Sequence, residues 1–230
     1  MGPADRDRLH RRRVALVAAA ALAAVIGGCA SSEDTPKLHA DRRPVGMLGA
    51  GFIDPAAPPA PESTIRPQPG SWDAVRPPHG YRVVLLTAGD DHATTTLVTG
   101  VKAWANAEHV TLETVAAKES HRFVDAIVEA MDLAPDLIIC AGHALVDALA
   151  LVTASHLNQQ FLVVGAQLPE PTVNVTAAVW RGAASRGREV PDTSSSYDPG
   201  AFTPRQVSTA IRAGVASVLS DITGIVVWLD

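Results

Sequence analysis

The chain has 230 residues and a formal net charge of -5; 47% of its residues are hydrophobic and only 4% aromatic. That length fits one ordinary domain with appendages. The mild acidity, with no basic stripe beyond the N-terminus, excludes a nucleic-acid-binding surface.

The appendages come first in the chain. Arg6, Arg8, Arg11, Arg12 and Arg13 precede the apolar run VALVAAAALAAVIGG. A basic head before about 15 apolar residues is the pattern of a secretion signal, since a spanning helix needs about 20. The run ends at Ile26-Gly27-Gly28-Cys29, which is similar to the bacterial lipobox: a branched aliphatic and two small residues before a cysteine. Small residues let the extended peptide enter a signal peptidase, and the thiol of Cys29 then takes a diacylglycerol. Residues 1–29 are therefore expected to be a lipoprotein signal, leaving the protein lipid-anchored on the extracytoplasmic face of the cell membrane. An ordinary signal peptide with an incidental cysteine is the competing reading. If Cys29 carries lipid, Cys140 in DLIICAG has no disulfide partner and is expected to be a buried, inert thiol.

Residues 30–80 hold ten of the 17 prolines. Such density opposes regular ladders and favours a semi-rigid spacer, here one that holds a domain off the membrane. One apolar island, VGMLGAGF, is a candidate for docking on that domain.

From Tyr81 short apolar runs alternate with amphipathic stretches. Strands are predicted over 81–87, 111–116, 136–141, 161–165, 173–178 and 224–229, and helices over 95–107, 122–132, 145–156 and 204–219. Continuous branched-aliphatic strands such as RVVLL, DLIIC and GIVVWL suit a parallel sheet buried on both faces. Strands alternating with helices indicate βαβ units, and right-handed crossovers then give an α/β fold: a three-layer, doubly wound, mostly parallel sheet over 81–230. The polar stretch GAASRGREVPDTSSSYDPGAFT, 182–203, interrupts this pattern and is read as an inserted, exposed and mobile loop. Thr203 and Pro204 have the residue types of a helix cap and a first helical position.

In open α/β sheets, ligands bind beyond the carboxyl ends of the strands. Those ends carry AGDDHATT, AGHALVD, GAQLPEPT and WRGAAS. Asp90, Asp91, Thr94, Thr95, Gly142 and His143 are accordingly the candidate ligand-binding residues, with carboxylates accepting from hydroxyls of a small polar ligand. Asp91 or Thr94 capping the helix is the alternative. No glycine-rich phosphate cradle follows the first strand, and no GxSxG elbow appears. The third strand ends in Cys140-Ala141-Gly142, which lacks a phospho-acceptor aspartate. His92 and His143 have no metal-ligand spacing. No enzyme, cofactor or metal is expected.

The runs LLTAGDDHATTTLVTGVKAW, APDLIICAGHALVDAL, NQQFLVVGA and VNVTAAVW, in that order, together with IRAGVASVLSDITGIVVWLD, resemble the basic membrane protein family. These are lipid-anchored substrate-binding proteins of ABC transporters that capture purine nucleosides in a type 1 periplasmic-binding-protein fold. The resemblance implies an ABC permease partner. It also marks departures. Family members follow the acidic pair with Ser-Phe-Asn, whose ring stacks on the base, where this chain has Ala93-Thr94-Thr95. His143 stands where an aromatic is usual, and Ala166 stands where the family has an acid. The matched segments cover the first of the family's two lobes, so weak or partner-dependent binding is expected. An envelope interaction lipoprotein with a vestigial crevice is the other reading.

Overall fold

The computed structural model describes residues 43–185 and 197–230. The signal segment with Cys29, residues 30–42 of the expected spacer and the centre of the 182–203 stretch lie outside the described residues.

Six strands carry the parallel sheet: β2 (Arg82–Ala88), β3 (Thr111–Ala117), β4 (Leu137–Ala141), β5 (Phe161–Val164), β7 (Val175–Trp180) and β9 (Val226–Leu229). A two-residue strand, β1 (Thr64–Ile65), joins as a seventh, in the order β1-β9-β7-β5-β4-β2-β3. A second parallel pair joins β6 (Ala166–Gln167) to β8 (Ala184–Ser185). Four helices connect them: α1 (His92–Ala107), α2 (Phe123–Asp132), α3 (Val146–Val152) and α4 (Pro204–Leu219).

Side-chain alternation divides the core into two layers. Val83, Leu85, Leu137 and Ile139 face α1 and α4, where Leu97, Val101, Val207 and Ile211 meet them. Val84, Leu86, Ile138 and Cys140 face the other way, onto Ile127 of α2 and Leu149 of α3. Both faces of each central strand are dry, so the strands read as unbroken apolar runs rather than alternating ones. Cys140 is free and fully buried, and burial pushes its thiol pKa far above the ordinary value. A thiol that cannot ionise is a packing group here.

Two expectations are corrected. The Pro-rich segment is no free spacer from Arg43 onward. Phe52 and Trp72 are 2% and 5% exposed and join the α1/α4 layer with Val75. Val45 and Arg76 pair across the segment, N–H to carbonyl, at 2.9 and 2.8 Å. The prolines restrict ladder pairing to the Val45–Arg76 bridge and the two-residue β1, but burying each large aromatic contributes about 1.5–3 kcal/mol, enough to order the chain between them. The apolar island VGMLGAGF docks through Phe52. The same segment flanks the last strand through β1, with the Arg66 guanidinium 5.2 Å above the Trp228 ring. An edge covered in this way offers no template for strand addition at the paired residues.

The second correction concerns 182–203, whose two ends are built into the domain. Gly182 and Ala183 are buried, β8 pairs with β6, and Phe202 is 1% exposed. Among the described residues, no helix is long and apolar enough to cross a membrane.

Candidate functional site

Strand order reverses between β2 and β4: the chain leaves β2 outward to β3, then returns to β4 on the other side. The loops after β2 and β4 therefore diverge and leave a crevice between them, the place where doubly wound sheets bind ligands. β2, β4 and β5 are each followed by a glycine in the left-handed region, Gly89, Gly142 and Gly165, with φ of +86°, +85° and +79°. Side chains resist that conformation, and it turns the backbone out of the sheet plane toward the crevice.

At the β2 side Asp91 is the N-cap of α1. Its Oδ1 accepts from the Thr94 backbone N–H at 3.1 Å and its Oδ2 from the Thr94 hydroxyl at 2.7 Å. Burial pushes the Asp91 carboxyl up, but hydrogen bonds from Thr94 and Ala93 and the charge of His143 outweigh it, so the pKa lies below the ordinary 3.8. Because the folded-state pKa is depressed, the cap's contribution is complete above pH 3.8 and fades as pH falls through the lowered value. Asp91→Ala is expected to cost about 1 kcal/mol at pH 7, read as a lower urea midpoint at unchanged slope. The difference from wild type should shrink in acid. A midpoint unmoved at pH 7 would mean the cap contributes nothing.

Asp90 is exposed, and its carbonyl accepts from the Thr95 hydroxyl at 3.2 Å. Its carboxylate takes no part in the cap. Thr94 is buried and adjoins Gly142: a Cβ on that glycine would lie 3.5 Å from the Thr94 Oγ1. His143, half-buried, follows directly. The structure thus brings Asp91, Thr94, Gly142 and His143 together, with Asp90 at the rim.

Thr95 is placed elsewhere. One residue is 100° around a helix, and Thr95 instead lines a groove of about 640 Å³ between α1 and α4, with Trp104 and Arg212. It belongs to a different surface from its neighbour.

Sequence reasoning missed an aromatic series. The Tyr197 ring lies 4.8 Å from that of His143, centroid to centroid, and 5.8 Å from Phe202, which in turn lies 4.9 Å from Trp180. Burial and the charge of Asp91 raise the Tyr197 pKa. Aromatics are scarce in this chain, so SYDPGAF, two rings astride a Pro-Gly turn in a polar run, was the available signal. Of the buried side-chain oxygens without a hydrogen-bond partner among the described residues, Thr87 Oγ1 lies near the end of β2 and Gln167 Oε1 just beyond β5. Among the described residues no cluster of three His, Cys, Asp or Glu could hold a metal ion.

Fold and site together define a doubly wound α/β lobe with a polar crevice at its switch point. No protein-family model and no curated protein matches the sequence. Among solved structures, similarity extends to an ABC transporter solute-binding protein from Aeropyrum pernix K1, with 17% identity and a TM-score of 0.40 over 44% of this chain. A fragment from Peptoclostridium difficile 630, assigned as a lipoprotein, shares 14% identity over 60% of this chain and 98% of its own, with a TM-score of 0.44. An ABC transporter solute-binding protein from Conexibacter woesei DSM 14684 shares 15% identity over 44% of this chain, with a TM-score of 0.38. The chain spans 29% of the Aeropyrum protein's length and 35% of the Conexibacter protein's. Likeness at this level carries nothing about ligand or partner, since one fold hosts many functions.

Proposed function

We propose that this chain is a lipid-anchored, extracytoplasmic solute-binding lobe rather than an enzyme. Cys29 carries the acyl groups, and the switch-point crevice takes a small polar solute of the nucleoside or sugar type. The solute's route is an ABC permease, as the resemblance to the basic membrane protein family implies. One observation carries the reading: the loops after β2 and β4 part at the strand-order reversal and line one crevice with polar groups from both, with the Asp90 carboxylate outside the helix cap. A carboxylate there accepts from ligand hydroxyls. Well-formed ligand sites bury 70–90% of a ligand; the lobe formed by the described residues offers one wall, so the affinity of these residues by themselves is expected at about 0.1–1 mM.

Isothermal calorimetry of the detergent-solubilised protein at high micromolar concentration, against a panel of nucleosides and sugars, tests the solute. At least one is expected to give saturable heat that Asp90→Asn weakens. Silence across the panel overturns the reading. Radiolabelled palmitate should enter the wild type and not Cys29→Ala, and the variant should leave the membrane fraction. Label retained without Cys29 would remove the anchor from the proposal.

A second reading, an envelope interaction lipoprotein with a vestigial crevice, is favoured by one observation. Both Asp91 oxygens are engaged within the protein by Thr94. A silent panel selects it.

A further inference from the structure

Tyr197 sits where the two sides of the crevice meet. Behind it the chain is firmly held: the Asp198 N–H donates to the Gly182 carbonyl at 2.9 Å, and Trp180 Nε1–H donates to the Ala201 carbonyl at 3.0 Å. Phe202 is 1% exposed and seated on the end of β5, where a Cβ on Gly165 would come within 2.5 Å of its ring. From this base the Tyr197 ring extends over His143 at a tilt of 60°. Tyr197 remains 37% exposed as a residue, so it lies at the mouth of the crevice and not in the core.

We propose that Tyr197 is a built-in occupant of the switch-point crevice: its ring holds the place over His143 that a ligand would take, and a ligand enters by displacing it. This rests on the solute-binding reading above. The charge of His143 acts on Asp91 and that of Asp91 on Tyr197, in keeping with the 4.8 Å between the Tyr197 and His143 rings. Displacement needs no movement of the anchored base, since rotation about the side-chain bonds of Tyr197 is enough to uncover His143. Aromatic pairs of this geometry favour the closed arrangement about two- to tenfold. Such a bias tightens the covered state without locking it, and it weakens the apparent affinity by the fraction of molecules that stand open.

The first measurement needs no ligand. Diethyl pyrocarbonate acylates exposed neutral imidazoles, and peptide mass mapping follows each histidine separately. At pH 7, acylation of His143 in Tyr197→Ala should be about fivefold faster than in wild type. His121, whose side chain is 70% exposed, is the internal reference and should not change. Tyr197→Phe keeps the ring and should keep the slow rate, which separates shielding from any loss of fold. An equal His143 rate in wild type and Tyr197→Ala overturns the proposal. In calorimetry with the nucleoside and sugar panel, any solute bound by wild type should bind Tyr197→Ala about two- to tenfold more tightly. Equal or weaker binding makes Tyr197 a ligand contact and overturns the proposal. Silence in both proteins refutes the solute-binding reading, while the acylation rates still decide whether Tyr197 covers His143.

Discussion

Phe202→Ala is expected to lower the thermal midpoint of the detergent-solubilised protein by about 10 °C, corresponding to a loss of about 3–5 kcal/mol. Phe202 is buried to 1% exposure and packs edge-on against Trp180 at 4.9 Å and Tyr197 at 5.8 Å. Gly165 offers no side chain to refill the space, since even a Cβ there would lie 2.5 Å from the native ring. The cavity therefore stays largely open, and cavity volume sets how far a large-to-small change exceeds the transfer term. Phe202→Leu, which fills more of the space, should lose less than half as much. Melting followed by circular dichroism reads both variants. A midpoint within 2 °C of wild type for the alanine variant would show that Tyr197–Phe202 is not part of the cooperative domain.

That sensitivity falls in a stretch whose sequence reads as a polar insertion, and the reason is physical. Helix α4 was legible to the residue, 204–219, because Pro204 fixes the first turn and Thr203 caps it, its hydroxyl oxygen accepting from the Gln206 N–H at 3.2 Å. The central strands were legible because burial on both faces leaves unbroken runs of Val, Leu and Ile. Local signals of this kind do not exist for β1, β6 and β8, each two residues long and formed only because a distant strand offers its edge. Docking of Phe52 and Trp72 likewise depends on single aromatic side chains joining the α1/α4 layer of the core. In the site, AGDD and AGH were readable as strand ends turning outward. The division of labour between the two acids was not: Asp91 as cap and Asp90 as the free acid differ only by helix phase. Tyr197 over His143 joins residues separated by β5, β6, β7 and β8, which no spacing rule connects.

The other expected large effect is at Asn174, where the predicted strand 173–178 begins late. β5 and β7 are parallel neighbours, yet no helix connects them. A crossover of this kind usually relies on a packed helix for its stability; here one buried amide ties it down. The Asn174 Nδ2 donates to the carbonyls of Thr153, His156 and Gln159 at 3.2, 3.0 and 2.9 Å, and its Oδ1 accepts from the Thr172 hydroxyl at 2.6 Å. The first two carbonyls belong to the turn that ends α3, the third to the approach to β5, so one side chain holds three segments in register. Asn174 is 0% exposed, and unpaired buried groups cost about 1–3 kcal/mol each. Asn174→Ala should therefore lose about 3 kcal/mol, seen as a lower urea midpoint. Asn174→Asp is the sharper test, because it replaces the donor with a second acceptor facing three carbonyls. Desolvation and those carbonyl dipoles raise the folded-state pKa of an aspartate placed there above its unfolded value of about 3.9. The variant should be less stable than Asn174→Ala at pH 7 and regain stability as pH falls toward 4, since the neutral acid can donate where the carboxylate cannot. Equal stability of the two variants at both pH values would mean that the amide nitrogen is not the donor holding this crossover.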